Sequence, residues 1–553
     1  MAEAIPATIS GQPVLILKEG TQRTRGKEAQ RANIMAAKVV AEAVKTSLGP
    51  RGMDKMLVAS FGDVTITNDG ATILKEMEVQ HPTAKMMVEV AKTTDDEVGD
   101  GTTSAVVLTG ELVSKAEELI NKDVHPTVIV DGYRRAQERA LQILNEVAVK
   151  VDPNDRETLK KIAKIAMATK LISESRDPMA DIAVDAMLQV AEKTPEGYKV
   201  DVEDVKVEKK AGESLTETKL IQGVVLDKEV VHPGMPKRVE DAKIALLNCA
   251  LEVEKTEFDA KINIQNPEEM KAFLDEEEKI LRDMVEKVAK SGANVLICQK
   301  GIDDVVQHFL AKKNILAVRR ASEKDMEKLA RASGAKIVTN LDDLNPEDLG
   351  YAKLVEERKI ADDKMTFVEG CKNARAVAIL IRGGTQRFVD EAERSLHDAL
   401  CVVRDVIRDP RVVAGGGAVE VELASQLKRW AGKLSGREQL AVLAFAEALE
   451  GLPLILAENA GLDPLDIIVE LRASHEKGQR WFGVDPFEGK VKDMMKDNVV
   501  EPAAVKEQIL KSASEAASML LKIDDIVASG KAREEARPPK GPEEEGERGS
   551  EFD

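Results

Sequence analysis

The chain has 553 residues, ample for a large buried core and too long for one ordinary compact domain, so two or three domains are expected. A net charge of −19 with 32% charged residues argues against a nucleic-acid-binding surface and for an acidic particle in water. Aromatic residues are only 3%, so the core is aliphatic and reads as mostly helical rather than as a β-sandwich.

Along the chain, the apolar run at 13–17 reads as an edge strand for a neighbour's sheet or as a free terminus. A helix is predicted from Lys27, with Ile34, Ala37, Ala41, Val44 and Leu48 on one face, stopped by Gly49-Pro50. Two short strands follow at 56–58 and 63–67, turned at Ser60-Phe61-Gly62. The next turn is Asn68-Asp69-Gly70, where Asp69 on its own reads as an Asx-turn residue. Helices are predicted from Pro82, from Thr102, and over 126–149. Shorter helical patterns run to about 191.

Alternating strand patterns occupy 200–207 and 220–225, and a buried strand 243–247. Between 254 and 278, Ile262, Ile264, Met270, Phe273 and Leu274 are apolar on a charged background. They mark either a contact surface or an ordinary amphipathic helix. Strands at 293–298, 315–318 and 335–338 alternate with helices as βα units. A strand over 376–381 turns at Gly383-Gly384 into a helix whose core face is Leu396, Ala399, Leu400, Val403 and Val406. Asp398 sits near its middle, where the helix dipole does not account for it and a solvated carboxylate is the plain reading. Gly415-Gly416-Gly417 precedes another helix, and further helices are expected at 440–456, 464–476 and 502–526. After Gly530 the composition is that of a disordered acidic tail.

Cys249, Cys298, Cys371 and Cys401 stand far apart with no CxxC pair, which argues against disulfide or metal frameworks. His397 and Cys401 have a two-ligand spacing but no third ligand nearby. No signal segment is read at the start and no apolar run as long enough for a bilayer, so no membrane association and a cytoplasmic location are expected.

The stretch with most chemistry is Gly99-Asp100-Gly101-Thr102-Thr103-Ser104, where a loop enters a helix. The first N–H groups of a helix lack internal acceptors, and its dipole puts partial positive charge there, so such an end seats anions. Gly99 and Gly101 let a ligand approach the backbone. Asp100 would repel phosphate unless a hard cation lay between, and Mg²⁺ is the usual one. A plain turn with a Thr N-cap is the competing local reading.

Five segments decide between these readings. They are Ser47-Leu48-Gly49-Pro50-Arg51-Gly52-Met53-Asp54-Lys55, Thr67-Asn68-Asp69-Gly70-Ala71-Thr72, the Gly99–Ser104 stretch, His397-Asp398-Ala399-Leu400, and Val413-Ala414-Gly415-Gly416-Gly417-Ala418. In this order, spread over most of the chain, they resemble the chaperonin family, and its archaeal group II branch most closely. The resemblance implies a multidomain α+β fold. It comprises a mostly helical equatorial domain (1–150 plus 410–530), a small α/β intermediate domain (151–225 plus 376–409), and an α/β apical domain (226–375). The last carries a helical protrusion at about 254–278, which serves as a built-in lid so that no separate lid protein is needed.

The resemblance also implies ATP and Mg²⁺ as cofactors, identical or closely similar subunits in stacked rings, and non-native proteins as clients. Residue by residue, it implies that Asp100 holds Mg²⁺ with Asp69 as a second carboxylate. Leu48, Gly49, Pro50, Asn68, Gly101, Thr102, Thr103, Ser104 and Gly416 then surround the nucleotide. Gly483 lies on the base side, Glu501 at the ribose, Lys170 as a nucleotide-sensing lysine, and Asp398 over the attacking water. A non-hydrolysing holdase scaffold is the alternative, against which the three aspartates argue. A small-molecule kinase lacks support, because no GxxxxGK[ST] is present.

Overall fold

The computed structural model describes residues 6–9, 12–15, 22–60, 62–169, 175–195, 197–253, 267–372 and 377–528. Its largest core is helical and drawn from both ends of the sequence. Helix Thr102–Asn121 buries Ala105, Val106, Val107, Leu108, Leu112, Val113 and Ala116, almost all round. A helix apolar on every side belongs in the middle of a bundle. It is flanked by Gly26–Lys45, Arg437–Asn459 and Ala503–Lys522. Gly110 has no side chain because Ala41 of the first helix occupies the space a Cβ would need. The buried Tyr133 of Pro126–Val147 donates to the Leu112 carbonyl at 2.7 Å and meets Phe445 edge-on.

Near the start, Pro6–Ile9 pairs antiparallel with Gln12–Leu15 of the same chain. One expectation needs correction: among the described residues one helix, Arg437–Asn459, is long and apolar enough to cross a membrane by composition. It lies instead in the core, where its buried Glu450 pairs with Lys428 and Arg472. Strand Gln22–Arg25 pairs antiparallel with Asp525–Ala528, and Arg23 binds Asp525.

A second layer packs helices Arg156–Ala166, Arg176–Val190 and Gln386–Arg408 beside a three-stranded sheet. Its middle strand, Val377–Gly383, is buried at every residue, with Val205–Ala211 parallel on one side and Lys219–Ile221 antiparallel on the other. The predicted strand at 220–225 is thus two strands. Lys219–Ile221 stays in this sheet, while Gly223–Leu226 joins the next one. Gly223 has φ +152 and packs onto the Val368 carbonyl where a Cβ would clash, so the crossing requires glycine. The strand expected over 200–207 begins late, because Asp201 caps a 3₁₀ turn, Val202–Asp204.

The third body, the described residues within 223–372, is built on a sheet that has seven strands among those residues. Arg238–Leu247 runs parallel to Val295–Cys298 and Ile337–Val338, and antiparallel to Gly350–Ile360. Of the segment 254–278, only 267–278 falls among the described residues. There Pro267–Ser291 exposes Met270, Phe273 and Leu274, each about half accessible. The tail at 531–553 lies outside the described residues.

Candidate active site

A cleft of about 630 Å³ opens where the first two bodies meet, within the usual ~300–1,000 Å³ of small-molecule sites. Leu48, Gly49, Pro50, Asn68, Asp69, Asp100, Gly101, Thr102, Thr103, Ser104, Asp398, Gly416 and Glu501 all line it. Residues from both ends of the sequence and from the Asp398 helix therefore converge on one cavity. Gly483 is not among the lining residues. It backs Gly416, where a Cβ would lie 2.8 Å from the Gly416 carbonyl, and the wall beside it belongs to Val484 and Asp485. Lys170 lies outside the described residues; the lining on that side is Ile165, Ala166 and Ala168.

The loop after helix Gly26–Lys45 is fixed by Asn459, whose Nδ2 donates to the carbonyls of Lys45 (3.0 Å) and Leu48 (2.8 Å). Asp69 caps helix Gly70–Glu76, its Oδ2 accepting from Thr72 N–H at 2.9 Å and Thr72 Oγ1 at 2.8 Å. Its Oδ1 accepts from Thr102 Oγ1 at 3.2 Å. Asp69 is thus a helix N-cap, in place of the Asx-turn residue expected, and a cleft residue at once. Gly70 lets this loop lie directly on Thr103, 2.8 Å from its nitrogen for an added Cβ. Asp100 Oδ1 accepts from Gly101 N–H at 2.6 Å. Gly99 and Gly101 both have positive φ, 68° and 76°, so the carboxylate is carried on a left-handed bend ahead of the helix N-terminus.

Asp398 is 8% exposed and faces this cleft, so it is not a solvated surface carboxylate. Its helix is held against the Gly99 loop by two contacts. Cys401 fills the space above Gly99 that a Cβ would take. Arg404 Nη2 donates at 2.6 Å to the Glu97 carbonyl, in the last turn of Pro82–Val98, while its Nε binds Asp405 at 2.8 Å. His397 and Cys401 do not make a metal site: among the described residues no three His, Cys, Asp or Glu side chains group to hold an ion. Burial pushes the Cys401 thiol up, as suits a packing residue.

Burial also pushes the Asp405 carboxyl up to about 6, with Arg404 pulling the other way. A native pKa above the unfolded one makes the folded chain the stronger proton binder. The contribution of this site to stability is therefore full below about pH 4 and lost as pH rises past about 6. The unfolding free energy of wild type relative to Asp405→Asn is expected to fall by about 2–3 kcal/mol from pH 4 to pH 7. Guanidinium unfolding at several pH values measures this, and a pH-independent difference would exclude it.

The far wall is apolar, formed by Leu452, Leu456, Val484, Met494 and Val505, a slot suited to a flat ring. At its end lie the buried Glu420 and Lys506 and the partly exposed Glu501. Lys506 Nζ is 2.8 Å from Glu420 and 2.6 Å from Glu501. Burial alone would strip the lysine of its proton, but the two carboxylates hold it charged.

Residues 40–531 match the model of the TCP-1/cpn60 chaperonin family. The chain belongs to that family. A thermosome subunit of Methanopyrus kandleri is 61% identical over 519 residues, covering 94% of this chain and 95% of the relative. Thermosome subunit beta of Thermococcus kodakarensis is 58% identical over 539 residues, 98% and 99% of the two chains. Among solved structures, the open-state monomer of a group II chaperonin from Methanococcoides burtonii matches with a TM-score of 0.60 at 46% identity, covering 77% of this chain and all of that one. The chaperonin described here is of the archaeal group II type, with the multidomain α+β fold expected of it, and is an ATP-dependent, ATP-hydrolysing chaperone.

Sequence reasoning missed Glu420, Lys506 and the rim group Asp485–Lys492–Asp497 of this chaperonin. Glu420 does stand in the first turn of the helix after the triple glycine. Nothing in the spacing ties it to Lys506, however, which arrives from a distant helix.

Proposed function

We propose that this cleft binds ATP with Mg²⁺ and that hydrolysis there drives a folding cycle. The observation that carries the proposal is the convergence of Asp69, Asp100 and Asp398 on a cavity walled at one end by a helix N-terminus. In this reading the free N–H groups of Thr102, Thr103 and Ser104, with the Leu48-Gly49-Pro50 backbone, hold the phosphates. Asn68 and Gly416 lie along the nucleotide, and the apolar slot takes the base. Mg²⁺ at Asp100, with Asp69 nearby, would neutralise charge between carboxylates and phosphates. The donor set fits, since a cation that completes its shell with phosphate and water needs only one or two carboxylates and no preformed cage. Asp398 accepts a hydrogen bond from the attacking water and orients it, and positioning of this kind supplies most of the catalysis in phosphoryl transfer.

We divide the chain into an equatorial domain (1–150 plus 410–530), an intermediate domain (151–225 plus 376–409) and an apical domain (226–375). The two crossings between the first and second lie side by side, with Val149–Lys150 paired to Arg411–Ala414 and the Val151 N–H donating to the Pro410 carbonyl at 2.9 Å. Paired strands at a crossing make a compact hinge, and rotation there moves Asp398 onto or off the cleft. Like subunits would form stacked rings in the cytoplasm, closed-ring symmetry following from a repeated head-to-tail contact. Non-native clients would meet the apical domain, and the protrusion would close the chamber without a separate lid.

Steady-state hydrolysis and refolding of a denatured client, each with and without Mg²⁺, test the reading. Both are expected to require ATP and Mg²⁺ and to stop on chelation. Client binding without any hydrolysis would favour a passive holdase.

A further inference from the structure

The slot end of the cleft holds a group that hydrolysis does not use. Glu420 is 5% exposed, stands in the first turn of Ala418–Ala431 and lines the cleft. Its Oε1 faces Lys506, but its Oε2 is buried with no hydrogen-bond partner among the described residues. Lys506 also holds Oε2 of Glu501. Glu501 Oε1 occupies the space over Gly415, 2.6 Å from where a Cβ would be.

One ammonium thus serves two carboxylates, and the trio carries a net negative charge. Such a site repels phosphate and accepts from a neutral donor. A buried acceptor oxygen is costly to leave unmade, and a ligand hydroxyl aimed at it removes that cost. With the phosphates at the Thr102 end, the part of a nucleotide that offers neighbouring neutral donors is the sugar.

We propose that Glu420 is a second sugar-reading residue: its Oε2 accepts from one ribose hydroxyl while Glu501 accepts from the other, with Lys506 fixing the two carboxylates side by side. This rests on the assignment of Glu501 to the ribose. The trio then makes the chaperonin selective for ribonucleotides over deoxyribonucleotides. A site built to bond a hydroxyl discriminates strongly against its absence, because the protein group is left unpaired.

The test measures KM of the assembled chaperonin for ATP, 2′-deoxy-ATP and 3′-deoxy-ATP, in wild type, Glu420→Gln, Glu420→Asp and Glu501→Gln. Wild type is expected to prefer ATP over each deoxy analogue by about tenfold or more. Glu420→Gln is expected to bring one of the two ratios close to one, and Glu501→Gln the other. Glu420→Asp, which keeps the charge but withdraws the oxygen, should weaken the same ratio as Glu420→Gln. Thermal unfolding of each variant runs alongside.

If both Glu420 variants lower the unfolding temperature but keep both ratios, Glu420 only stabilises its helix end and the proposal is overturned. If Glu501→Gln leaves both ratios intact, the ribose assignment of Glu501 fails, and the paired reading by Glu420 and Glu501 is overturned with it. Equal use of all three nucleotides by wild type overturns both.

Discussion

Replacing Asp398 with alanine is expected to lower steady-state ATP hydrolysis by about 10²-fold or more, with ATP affinity changed by no more than about threefold. Asp398 is held on the cleft wall by its helix, whereas the groups proposed to hold phosphate come from the Leu48–Pro50, Asn68–Gly70 and Gly99–Ser104 segments of the same wall. In the proposed mechanism, removing the carboxylate takes away a group that acts on the water and not on the bound nucleotide. A loss confined to turnover marks an interaction made in the transition state. Calorimetric titration with ATP, beside single-turnover hydrolysis, separates the two. Equal turnover in the variant would remove Asp398 from the mechanism, and loss of binding would make it a nucleotide contact instead.

The second large effect is expected at Gly99, which touches Asp398 only through its helix. Gly99→Ala adds a methyl into the Sγ and Cβ of Cys401, on a residue with φ +68. The strain of a left-handed alanine is about 1 kcal/mol; the clash must in addition push Gln386–Arg408 off the loop. Hydrolysis is expected to fall by about tenfold or more, since displacements near 1 Å at a reacting centre cost up to about 10²-fold. Cys401→Gly in the same chain removes both clashing atoms and should restore part of the rate, although a glycine inside a helix itself costs about 1 kcal/mol. A double-mutant cycle on hydrolysis rate reads the coupling directly. Independent, additive losses would show that the Gly99–Cys401 contact does not position the catalytic helix.

The end of the cleft proposed for phosphate has local parts, and their convergence on one cavity was legible in the sequence. Glycines flanking Asp100, hydroxyls at a helix start and Asp69 ahead of Gly70 carry their geometry in their spacing. The end proposed for base and sugar is assembled from distant pieces, and there the reading thinned. Gly483, expected on the base side, lies against the backbone of Gly415 and Gly416, and Val484 and Asp485 beside it line the cavity. Glu420 and Lys506 meet only through tertiary packing. Likewise Arg437–Asn459 has the apolarity of a membrane span, and only the bundle around it shows that it is a core helix. The break at Gln222 was invisible for the opposite reason, since strands of two different sheets follow one another with no change in apolar pattern.

The pairing of Gln22–Arg25 with Asp525–Ala528 sets an order of assembly. Helix Gly26–Lys45 packs mainly on Thr102–Asn121 and at a smaller contact on Ala503–Lys522, so one part of its surface waits for a partner made more than four hundred residues later. At about 5–20 residues per second, synthesis leaves that part without its partner for roughly 20–90 s. The body at 223–372 is continuous in sequence and can fold while the chain is still growing. The body at 223–372 thus can stand first, and the helical core drawn from both chain ends is completed last. Until translation is nearly complete, the nascent chaperonin keeps part of that core's aliphatic surface exposed, as an unfolded protein does.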